Sequence, residues 1–146
     1  MPEFSDAELV LRGTATLVAS WETYARGAVG ASVVRAPGVV AAIFPHEPER
    51  SVYNNAILDR DLPAADRAAA LETMAAAYTH AGVQQFAAWV HEADADMRND
   101  LEGRGYILDT STRAMGMALD SFQHPRPEID LGSLTGNEYV RRFGLP

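Results

Sequence analysis

Cysteine is absent from all 146 residues, which excludes disulfides, thiolate catalysis and cysteine-ligated metals. Lysine is absent too. The 12 basic residues are all arginines, spread singly except for Arg141-Arg142, and 20 acidic residues bring the net charge to -8. Without a basic stripe to neutralise phosphates, nucleic acid is not the expected partner, and an acidic chain is repelled by anionic membranes. No apolar run approaches the ~20 residues of a membrane span. The opening MPEFSDAE lacks the basic-then-apolar order of a secretory signal, so the expected location is cytoplasmic. His46, His80, His91 and His124 lie far apart, with no His-x-x-x-His spacing, and no metal site is expected. A Gly-x-Ser-x-Gly nucleophile elbow is also missing.

What is present is ordinary for a globular chain: 47% hydrophobic and 22% charged residues. Ser5 and Glu8 form a capping-box pattern ahead of a helix whose apolar stripe is Val10, Leu17, Val18, Trp21, Tyr24 and Ala25. Two β-rich runs, ASVVRA and VVAAIF, follow on either side of Pro37-Gly38. Proline then glycine suits a type II turn, whereas tight hairpins favour primed turns, so a loop longer than two residues is expected. A third strand is expected over Ser51–Leu58 and a helix from Pro63 to His80, with Pro63 at the first helical position and Gly82 as its stop. Val83–Val90 is nearly continuous in apolar residues, as in a central strand. Asp94 is a plausible N-cap for a helix that carries Met97 and Leu101 inward and ends at Gly105. The runs YILDT and RAMGMAL read as a final antiparallel pair, and Glu92, Asp94, Asp96, Asp100 and Glu102 as a solvated helix face. Pro125-Arg126-Pro127 then reads as a stiff spacer before a short terminal helix.

Antiparallel strands first and alternating strands and helices later imply an α+β, three-layer fold: a mixed, mostly antiparallel sheet with helices on both faces. That order, together with the ending Leu101-Glu102-Gly103-Arg104-Gly105-Tyr106, resembles the GNAT superfamily of acetyl-CoA-dependent N-acetyltransferases. SVYNNAILDRDL, FAAWV, LEGRGY and RAMGM taken in order look like the N-terminal half of a tandem, two-domain GNAT protein. The resemblance implies a degenerate GNAT-like domain over residues 1–121, with 122–146 a linker and short helix leading toward a second domain. It also implies a cofactor pyrophosphate held by amides at the start of the helix near Pro63.

Two departures set this chain apart from that pattern. GNAT enzymes carry Arg/Gln-x-x-Gly-x-Gly/Ala at the phosphate turn, and the nearest alignment here is Arg60-Asp61-Leu62-Pro63-Ala64-Ala65. Pro63 replaces the glycine and removes an amide donor, while Asp59 and Asp61 add charge that repels phosphate. Leu101 stands where many GNATs place the tyrosine that protonates the departing thiolate. The degenerate loop of Arg60, Pro63 and Ala65 is therefore not expected to bind acetyl-CoA, which the full protein would still use.

For chemistry, His91 and Glu92 are the candidate base and its neighbour at the end of the fourth strand, against the alternative of a solvated strand end. Tyr53, Asn54, Asn55 and Trp89 are candidate substrate contacts. The two asparagines, inside an apolar run, need partners if buried and could equally mark a bulge. Three functions remain open. The first is a non-catalytic half that shapes the acceptor site or a domain interface, with a second GNAT domain or another copy as partner and an amine as substrate. The others are a stand-alone N-acetyltransferase with an aberrant cofactor loop and a non-enzymatic interaction or ligand-binding module.

Overall fold

The computed structural model describes residues 4–112, all within one compact unit, Met1–Gly116. The elements in order are α1 (Asp6–Gly27), β1 (Ser32–Ala36), β2 (Val39–Ile43), β3 (Asn55–Leu58), α2 (Ala64–His80), β4 (Ala87–Trp89) and α3 (Ala95–Gly103). The four strands form one sheet in the order β1-β2-β3-β4. β1 with β2 and β2 with β3 are antiparallel, and β3 with β4 is parallel. The protein is thus an α+β fold on a mixed sheet. RAMGMAL, the 122–146 tail and the expected boundary at residue 121 lie outside the described residues.

Period-two alternation divides the strands between two layers. Val39, Ala41, Ile43, Ala56 and Leu58 face α2 and α3, burying Ala70, Leu71, Met74, Tyr78, Met97 and Leu101. Ala42 and Phe44 face the other way, against Val18 and Trp21 of α1. The capping box of α1 forms as expected, with Glu8 N–H on Ser5 Oγ at 3.3 Å and Ser5 N–H on Glu8 Oε2 at 3.0 Å. The apolar stripe is covered only in part. A helix of 22 residues runs about 33 Å, and a strand of 5 residues about 17 Å, so α1 outruns its sheet. Val10, Leu17 and Tyr24 lie on one flank of the stripe beside Val18 and Trp21 and are 40%, 39% and 62% exposed.

Several boundaries differ from expectation, each for a local reason. Ala36 pairs with Val39, so the β1–β2 loop has two residues and not more. Gly38 sits at φ +79°, where glycine is favoured, and an added Cβ would lie 2.8 Å from Leu62 Cδ1 and 2.9 Å from Ala70 Cβ. The turn is thus held tight under α2. β3 begins at Asn55, because Tyr53 N–H and Asn54 N–H both donate to Arg50 O in a preceding turn. β4 shrinks to three residues because Gln84 N–H and Gln85 N–H are both taken by Pro48 O, at 2.8 and 3.0 Å. Among the described residues β4 is an edge strand, half-buried, not a central one. Residues 106–110 form no strand, and Ile107 and Leu108 are exposed.

Both later helices end with the same device. In α2, Val83 N–H bonds Tyr78 O and Gly82 N–H bonds Thr79 O, with Gly82 at φ +71°. In α3, Tyr106 N–H bonds Leu101 O and Gly105 N–H bonds Glu102 O, with Gly105 at φ +87°. These are Schellman motifs, in which glycine turns left-handed and the next residue folds back on the helix. Hence α3 closes at Gly103, and Gly105-Tyr106 is its stop signal. Tyr106 then lies edge-on to Phe86, centroids 5.8 Å apart, and Phe86 stacks on Tyr78 at 4.0 Å.

Candidate functional site

The candidate residues gather at the two ends of the parallel pair β3–β4, not at one centre. At the starting end stand Tyr53, Asn54 and Asn55, and Trp89, the last residue of β4, reaches back to Asn55 with its indole. Asn54 is fully buried and Asn55 is 7% exposed. Asn54 Oδ1 accepts from Phe44 N–H at 2.8 Å, while Asn54 Nδ2 donates to Glu47 O at 2.8 Å and to Arg50 O at 3.3 Å. Asn54 O also accepts from Ala87 N–H, the first rung toward β4. One side chain thereby fixes the end of β2, the loop after it and the start of β3. Asn55 Nδ2 donates to Val52 O at 2.9 Å, and its Oδ1 accepts the Trp89 indole N–H at 2.9 Å. Every amide group of the two asparagines has an internal partner, as a buried amide requires. Tyr53 is 42% exposed and its ring lies 5.9 Å from Phe44.

Pairing runs from Asn55↔Ala87 through Ala56↔Ala88 to Ile57↔Trp89 at the other end. Beyond this rung the two loops are joined by a carboxylate. Asp94, 5% exposed, caps α3 by accepting Met97 N–H on Oδ1 at 3.1 Å, and accepts Asp61 N–H on Oδ2 at 3.1 Å. Asp61 sits at φ 59°, a left-handed conformation that aspartate tolerates better than most side chains. Pro63 is the N-cap of α2, one place before the first helical residue, and supplies no side-chain cap. Ala65 is exposed, and Arg60 pairs with the adjacent Asp61 at 2.9 Å on the surface.

Sequence reasoning missed Arg67, the tie between α2 and α3. Its Nε donates to Asp100 at 2.7 Å, and its NH1 to Leu62 O at 2.9 Å and Asp96 at 3.4 Å. The acidic run on α3 is therefore not one solvated face: Asp94 is buried and Asp100 half-buried against Arg67, while Glu92, Asp96 and Glu102 are exposed. The legible signal was Asp96 and Asp100 four residues apart, a spacing that points both at one cation.

His91 and Glu92 do not form a pair. His91 Nδ1 accepts Ala93 N–H at 3.2 Å and His91 O accepts Asp94 N–H at 2.9 Å, so the histidine shapes the turn into α3. Glu92 is exposed. Two surface grooves, of about 410 and 470 Å³, lie elsewhere, flanking the end of α1, and none of these candidate residues lines them. Among the described residues no cluster of three or more His, Asp or Glu could hold a metal. No described helix is long and apolar enough to cross a membrane.

The site as built can hold loops in place and present acidic surface; the described residues offer no free cationic cradle at the start of α2. The class that the fold defines is α+β, with helices on both faces of a mixed sheet. No family model matches the chain, and neither a curated protein nor a solved structure does.

Proposed function

We propose that this chain is a GNAT-like domain of a cytoplasmic, acetyl-CoA-dependent N-acetyltransferase, one that does not itself bind the cofactor. It helps form the acceptor side or a domain interface, and a second GNAT domain or another copy carries the reaction. The order of α1, three antiparallel strands, α2, parallel β4 and α3 supports the kinship. The observation that carries the non-catalytic part is Asp94. Its carboxylate lies on the Asp61 amide beside the start of α2, where the resemblance implies a pyrophosphate. Asp59, Asp61 and Asp66 add negative charge to the same turn. In the larger protein a neutral amine would attack the thioester directly, with backbone amides on the oxyanion and with the base and acid outside this chain.

A second reading, an interaction module without chemistry, is favoured by the uncovered apolar face of α1 at Val10, Leu17 and Tyr24. Calorimetric titration of the chain with acetyl-CoA tests the first. No heat of binding is expected at millimolar cofactor, and saturable binding in the micromolar range would show a self-sufficient acetyltransferase instead.

A further inference from the structure

We draw no further inference here: the strongest candidate, the exposed apolar face of α1 at Val10, Leu17 and Tyr24, is an unpartnered helix face, and nothing in the structure shows what covers it.

Discussion

The two ends of the β3–β4 pair are closed by different chemistry. At the start of the strands the closure is neutral, made by the amides of Asn54 and Asn55 with backbone groups and the Trp89 indole. At the far end it is ionic, made by Asp94 on two amides and Arg67 on two carboxylates. Neutral amides buried in a core hold their partners at every accessible pH, and removing one takes a hydrogen bond from several groups at once. A carboxylate at a loop junction contributes a cap and a charge, and it keeps other anions away from the amides it occupies. The first end is therefore a structural node, whereas the second is a pair of amides already taken by a carboxylate, a blocked seat on the proposed reading.

That contrast sets the sizes of the expected effects. Asn54→Ala would leave Phe44 N–H, Glu47 O and Arg50 O without their side-chain partner. A loss of about 3 kcal/mol or more is expected, read as a lower urea midpoint at unchanged slope. A loss under about 1 kcal/mol would mean that water substitutes for the amide and that the node is no node.

Tyr78 tests the core beneath both ends. Its hydroxyl donates to Ala42 O at 3.1 Å, and burial pushes the phenol well above its ordinary range. The folded protein thus keeps this proton where the unfolded chain, with a pKa of about 10, loses it. This contribution is fully present below about pH 10 and falls as pH rises toward the folded value. Tyr106, raised in the same direction chiefly by burial, adds to the decline. Tyr78→Phe should cost about 1 kcal/mol near neutrality and flatten the fall in urea midpoint between about pH 10 and 12. An unchanged slope with pH would remove Tyr78 as its source.

His91→Ala lies at the small end. The imidazole makes one bond, to an exposed turn amide, so a shift within about 0.5 kcal/mol is expected. On the proposed acetyltransferase reading, the activity of the assembled protein should be unchanged. A loss of activity at unaltered stability would restore His91 as a base.

Much of the fold was legible because its signals are local. Ser5 and Glu8 announced α1, Pro37-Gly38 a turn, Asp94 a cap, and Gly82 and Gly105 two helix stops. The Gly105-Tyr106 step that suggested the family is at the same time a Schellman ending, so part of that likeness is helix-terminating chemistry. What was not legible depends on distant partners. Pro48 O shortens β4 by capturing the amides of Gln84 and Gln85 just ahead of it, and no periodicity reports that. The shortfall in α1 burial comes from the sheet covering only the Val18–Trp21 side of the stripe and leaving Val10, Leu17 and Tyr24 on its flank, a limit that the stripe itself does not encode. At the candidate site, burial of the asparagines was half-readable from their apolar neighbours. The double use of Asp94 was not, since its second partner lies 33 residues away.

Amide hydrogen exchange at Asp61 tests the blocked seat most directly. In the unaltered chain the Asp61 and Met97 amides should be protected together, and in Asp94→Ala both should exchange freely while Ala56 and Ala41 in the sheet stay protected. An Asp61 amide that exchanges equally fast in both proteins would contradict the account, because the Asp94 carboxylate would then not occupy that amide.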